Sequence, residues 1–163
     1  MVRVLYPGSF DPPTSGHVDL VERALNLFEE VTVAVAANAA KQPLFSVEER
    51  CDLLAEVLPR DPRLKITSFS GLVVDYCRTG DFGAILRGLR TVSDFEYEYQ
   101  MALTNRHMDD RVETVFVMPS ARYSYVSSSL IKDIVRHGGP VSDFLPEIVE
   151  QRIRARMEER AGD

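Results

Sequence analysis

The sequence is short of positive charge, cysteine and long apolar runs, and each shortage removes a class of function. Its 19 Lys and Arg stand against 25 Asp and Glu, leaving a net charge of −6. A binder of phosphate backbones needs clustered cations, so no nucleic-acid partner is expected. No uninterrupted apolar stretch approaches the roughly 20 residues of a membrane span, so no membrane partner is expected either. The opening Met1-Val2-Arg3-Val4-Leu5-Tyr6 is too short for the apolar core of a signal peptide. The two cysteines, Cys51 and Cys77, lack metal-type spacing and fall in apolar helical patterns, which predicts buried, reduced thiols. A cytoplasmic protein is the simplest expectation.

Familiar catalytic devices are missing too. No Gly-x-Gly-x-x-Gly follows the first strand, which removes the main support for a dinucleotide-dependent dehydrogenase. There is no Gly-Lys-Ser/Thr phosphate loop and no Gly-x-Ser-x-Gly elbow. His17, His107 and His137 have no ligand spacing, so no protein-built metal site is expected.

What is present is an alternation of strand and helix. Strands are predicted at Val2–Tyr6, Val31–Ala37, Leu64–Phe69, Ala84–Leu86 and Thr114–Met118. The second is apolar at nearly every position, as a strand buried on both faces should be. After the first strand, Val18, Val21, Leu25 and Phe28 share one helix face. Ser46-Val47-Glu48-Glu49 is a capping-box pattern opening a helix that ends near Pro59. Leu72–Arg78 reads as a short helix. Ser93-Asp94-Phe95-Glu96 is a second capping-box pattern, starting a long helix to about Met108 in which Phe95, Tyr99 and Ala102 form a predicted core stripe. Further helices are predicted over Ser127–His137 and from Pro146 to about Arg160, the last charged enough to face solvent or another subunit.

Five strands separated by helices predict an α/β fold: a Rossmann-like, doubly wound five-stranded parallel sheet of order 3-2-1-4-5, with a C-terminal helix. The length suits one domain, residues 1–163. Its ligand crevice should open at the switch point between strands 1 and 4. The Gly- and Pro-rich run Tyr6 to His17 leaves strand 1 there and enters a helix whose amino terminus offers free N–H groups to an anion. Leu86-Arg87-Gly88-Leu89-Arg90 leaves strand 4. Pro119 to Lys132 leaves strand 5, and its three successive serines, Ser127, Ser128 and Ser129, exceed what capping one helix requires.

Gly8-x-Phe10-Asp11-Pro12-x-Thr14-x-Gly16-His17 resembles the signature of the nucleotidylyltransferase superfamily. With Arg87-Gly88-Leu89-Arg90, the Asp94-to-Glu98 run and the Ser-Ser-Ser-Leu-Ile-Lys helix start, the whole chain from Val4 to about Arg156 resembles the bacterial phosphopantetheine adenylyltransferases. The resemblance implies transfer of the adenylyl group of ATP to 4′-phosphopantetheine, giving dephospho-coenzyme A and pyrophosphate. It also implies magnesium carried mainly by the ATP phosphates, a homohexamer, and coenzyme A as a feedback inhibitor. The reaction would be a direct displacement, so the protein needs to align two anions and neutralise charge.

Carried over position by position, the resemblance makes His17 the stabiliser of the transition state and Lys41 the partner of the acceptor phosphate. It assigns Ser9, Phe10, His17, Gly88, Leu89, Arg90, Glu98 and the segment Tyr123, Ser124, Tyr125, Val126, Ser127, Ser128, Ser129 to ATP. Ser9, Lys41, Val73, Arg87, Met101 and Asn105 fall to the acceptor. Tyr123-Ser124-Tyr125 stands where the family often has Trp-Ser-Phe, and Ser9 where it often has Thr. At a helix amino terminus the dipole disfavours a protonated His17. Lys132 reads equally as a phosphate aid or a surface lysine, and Asp11 as a turn former before Pro12. The alternative within this fold is an enzyme using nicotinate mononucleotide or glycerol phosphate as acceptor. A non-catalytic nucleotide binder would be expected to lack His17 or Lys41, and both are present.

Overall fold

The computed structural model describes residues 2–37 and 43–162. The strands are β1 (Arg3–Gly8), β2 (Glu30–Ala36), β3 (Leu64–Phe69), β4 (Ala84–Gly88) and β5 (Glu113–Val117). The helices are α1 (Ser15–Leu27), α2 (Val47–Val57), α3 (Val73–Gly80), α4 (Val92–Met108), α5 (Ser128–Arg136) and α6 (Glu147–Gly162). All strand pairs are parallel and the order is β3-β2-β1-β4-β5. This is the predicted doubly wound sheet.

Both faces of the sheet are covered. Val4, Val31, Val33 and Leu86 pack with Val21, Leu25 and Leu54 of α1 and α2. Leu5, Ala34 and Ile85 point the other way, onto Cys77 of α3 and Phe82. Successive residues of one strand therefore feed two cores, which is why β1 and β2 are apolar at most positions. Among the described residues no helix is long and apolar enough to cross a membrane.

The crevice follows from the register. β1 and β4 pair at Val4↔Ala84 and Leu5↔Ile85, yet both strands run three residues further, to Gly8 and Gly88. The gap between their carboxyl ends is bridged by a side chain, Arg87, whose Nη1 donates to the Pro7 carbonyl at 2.9 Å.

Two expectations need correction. Helix α4 is capped by Thr91, whose hydroxyl accepts from the Asp94 N–H at 3.2 Å. The Ser93-to-Glu96 pattern therefore lies inside the first turn. The Phe95 and Tyr99 stripe is not core: the rings stack on each other and are 46% and 49% exposed. Glu98 and Asn105 are the buried residues of α4, because the helix turns its polar stripe toward Arg87 and the crevice. Helix α6 is largely exposed, as its charges implied, and buries one apolar stripe. Val149 and Ile153 are buried against Leu44, Phe45, Leu53 and Ile131. Most of its charges face outward, while Arg156 reaches back over Phe45 to Glu49 and the Leu44 carbonyl. Of the two free thiols, Cys77 is buried and Cys51 half-buried.

Candidate active site

Two adjoining cavities open at the carboxyl edge of the sheet. One, of about 270 Å³, is bounded by the β1–α1 loop, the end of β4, and the segment from Pro119 into α5. The other, of about 460 Å³, lies between β1, β4, α3 and α4. They share Pro7, Gly8, Ser9, Arg87 and Glu98. A Cβ on Gly8 would sit 2.9 Å from the Phe10 ring, so the shared wall needs glycine there.

His17 lines the first cavity and is held by a reciprocal capping box. The Thr14 hydroxyl accepts from the His17 N–H, while the Thr14 N–H donates to His17 Nδ1 at 2.9 Å. An Nδ1 that accepts a backbone N–H carries no proton, which leaves the hydrogen of the neutral ring on Nε2. Burial pushes the imidazole down to about 4, helped by the positive charges of Arg90 and Arg87. The direction is the one expected from a helix terminus, but burial is the larger cause. The Phe10 ring meets the imidazole edge-on at 4.9 Å and fixes its plane.

The arginines at the end of β4 and just beyond it are tied down differently. Arg87 makes a two-pronged pair with Glu98 of α4 and reaches across to Pro7. Arg90 pairs with Asp94 and donates to the Val126 carbonyl at 2.8 Å, joining the β4 exit to the β5 exit. The three serines have three tasks. Ser127 caps α5, Ser128 donates to the Pro12 carbonyl at 2.8 Å, and both join Ser129 along the cavity wall. The Asp19 carboxylate, one turn after the α1 terminus, accepts from the Ser120 N–H and hydroxyl and fastens the same segment to α1. The arrangement is an arginine- and serine-lined chamber, its two cations paired with Glu98 and Asp94, beside a more apolar one. It can bring two anions together and stabilise charge, and among the described residues it offers no activated nucleophile.

Residues 5–134 match the cytidylyltransferase-like family. A phosphopantetheine adenylyltransferase of Caldanaerobacter subterraneus is 51% identical over 91% of this chain and 93% of its own. That of Desulforudis audaxviator is 49% identical over 92% of each. The chain belongs to the phosphopantetheine adenylyltransferase family. A Vibrio parahaemolyticus crystal structure, provisionally described as a nicotinate-nucleotide adenylyltransferase, superposes with a TM-score of 0.62 at 14% identity, covering 93% of this chain and 91% of its own. That likeness speaks to the fold.

Of the positions that phosphopantetheine adenylyltransferases suggested for ATP, the first cavity gathers Ser9, Phe10, His17, Gly88, Arg90, Glu98, Tyr123, Val126, Ser127, Ser128 and Ser129. Of those suggested for the acceptor, the second gathers Ser9, Val73, Arg87, Met101 and Asn105. Leu89, Ser124 and Tyr125 line neither. The Leu89 N–H is taken by the Val117 carbonyl, and the Ser124 hydroxyl by the Ala121 carbonyl. Tyr125 turns its edge to Phe144 and is largely exposed. Lys41 lies outside the described residues. Lys132 is not at the cavity but pairs with buried Asp11 at 3.3 Å. Asp11 also accepts from the Leu44 and Phe45 N–H groups, tying the first loop to the start of α2 rather than merely shaping a turn.

Sequence reasoning missed Tyr6, Asp94 and Thr114 as cavity residues. Asp94 had a signal, since it follows Arg90 by four residues. Thr114 had none. Among the described residues its Oγ1 and the Asn105 Oδ1 are buried without hydrogen-bond partners, and both residues line the second cavity.

Proposed function

We propose that the chain, residues 1–163 acting as one catalytic domain, transfers the adenylyl group of ATP to 4′-phosphopantetheine, giving dephospho-coenzyme A and pyrophosphate. The observation that carries this reading is the pair of cavities meeting at Ser9, Gly8 and Arg87. ATP takes the cation-lined cavity and the acceptor the other, so their phosphates meet at the shared wall. An acceptor phosphate oxygen attacks the α-phosphorus, the bond to the β-phosphate oxygen breaks, and pyrophosphate leaves on the Arg90 and α5 side. The neutral His17 donates its Nε2 hydrogen to an α-phosphate oxygen as charge builds there. Arg87 and Lys41 balance the acceptor phosphate. The unpartnered Asn105 and Thr114 oxygens favour an acceptor carrying N–H donors, as the two amides of pantetheine do.

Among the described residues no three acidic, His or Cys side chains converge. The cavity carboxylates Glu98 and Asp94 are already engaged by Arg87 and Arg90. The magnesium expected of the family would therefore arrive on the nucleotide phosphates. A cytoplasmic homohexamer, inhibited by coenzyme A, completes the proposal, and a monomer in sedimentation would refute the assembly.

Pyrophosphate release from ATP is expected with 4′-phosphopantetheine and not with nicotinate mononucleotide or glycerol phosphate. Release with either of the latter alone would overturn the assignment. His17→Ala is expected to keep ATP binding by calorimetry and lose at least ~10² in turnover, the scale of one preorganised donor. Unchanged turnover would remove His17 from the mechanism.

A further inference from the structure

Arg50 of α2 lines neither cavity, yet it grips the wall between them. It is 2% exposed, and among the described residues no carboxylate pairs with it. Its charge is met by three main-chain carbonyls instead. Nη1 donates to Ser9 at 2.8 Å and to Ala36 at 3.3 Å, and Nε donates to Ser46 at 3.1 Å. One guanidinium thus joins the β1 exit, the end of β2 and the cap of α2. A buried cation held only by carbonyl dipoles is a costly arrangement for a position that merely fills space.

The Ser9 carbonyl belongs to the peptide whose N–H is that of Phe10. In a planar trans peptide the two point in opposite directions. Arg50 pulls the carbonyl toward α2, so the Phe10 N–H faces away from α2. That N–H has no acceptor among the described residues, and Phe10 holds a φ of 48°, which a residue with a side chain adopts only where its surroundings impose it. Ser9 and Phe10 both line the first cavity, and Ser9 also lines the second.

We infer that Arg50 is a positioning residue: it locks the Ser9–Phe10 peptide so that the Phe10 N–H and Ser9 hydroxyl are presented to the phosphates reacting at the shared wall. The inference rests on the reading of the two cavities as a nucleotide site and an acceptor site. Lysine in its place can satisfy one carbonyl but not the fork of contacts, and methionine none.

The test compares wild type, Arg50→Lys and Arg50→Met, with Arg3→Met at the opposite end of β1 as a control. Labelling serine carbonyls with ¹³C and phenylalanine amides with ¹⁵N isolates the two Ser–Phe peptides, Phe10 and Phe69. A non-hydrolysable ATP analogue is expected to shift the Phe10 amide in wild type, less in Arg50→Lys, and scarcely in Arg50→Met. Single-turnover rates per bound nucleotide are expected to fall about 10-fold or more in Arg50→Met, less in Arg50→Lys, and not in Arg3→Met. If Arg50→Met does not fold, Arg50→Lys carries the comparison. An analogue-induced Phe10 shift and a rate per site equal to wild type in the folded variant would overturn the role. If the Arg50 variants lose the Phe10 shift while wild type keeps it but fails with 4′-phosphopantetheine, the acceptor assignment falls and the role of Arg50 stands.

Discussion

At the scale of single residues, His17 shows how local bonds set chemistry. The Thr14 N–H fixes which ring nitrogen is bare, and burial among Arg87 and Arg90 holds the ring neutral down to about pH 4. In the unfolded chain the same ring takes up a proton near 6.5. Between those values the unfolded state binds more protons, so stability rises with pH from about 4 to 6.5 and the contribution is lost as the solution is acidified. His17→Gln is therefore expected to unfold in urea with a shallower pH dependence over that window. Proton NMR of the ring should show no titration between pH 5.5 and 8, and an inflection near 6.5 would contradict the buried, neutral ring. The histidine itself was legible in the sequence as the end of a loop motif. Its tautomer was not, because that depends on where one backbone N–H points.

At the scale of elements, α4 shows where a pattern misleads. Ser93-x-x-Glu96 and Thr91-x-x-Asp94 are both capping spacings, and only the chain's exit angle from β4 decides between them. Asp94 stands where the box partner of Thr91 would be, but its carboxylate turns to Arg90 instead. Thr91→Ala is expected to cost about 1 kcal/mol in thermal or chemical unfolding and Ser93→Ala less than about 0.5. The reverse ranking would restore the sequence-based cap. The apolar stripe failed for a related reason. Periodicity identifies a face of a helix, but the Arg87–Glu98 pair selected the polar face as the inner one and left Phe95 and Tyr99 outside.

At the scale of the whole molecule, buried polar clamps join the parts that the site needs. Asp11 holds the first loop to the start of α2 through two N–H groups and to α5 through Lys132. Removing its carboxylate strands two buried donors and the largely buried Lys132 ammonium group. Asp11→Ala is expected to lose about 2–4 kcal/mol of unfolding free energy, and Asp11→Asn less, since the amide oxygen still accepts one bond. A loss below about 0.5 kcal/mol would show that the clamp is dispensable. The sequence by itself determined the alternation of strand and helix, the parallel sheet with its order, and the segments at the sheet's carboxyl edge that bear Ser9, His17, Arg87 and the three serines. Apolar periodicity and turn chemistry are local, and right-handed crossovers leave few ways to wind the chain. Tertiary structure alone decided that Glu98 pairs with Arg87, that Lys132 answers Asp11 rather than a phosphate, that Asn105 and Thr114 share a cavity, and that Arg50 grips the loop between two chambers. Those outcomes join residues far apart in sequence, and a charge or hydroxyl carries no local sign of which distant partner will satisfy it.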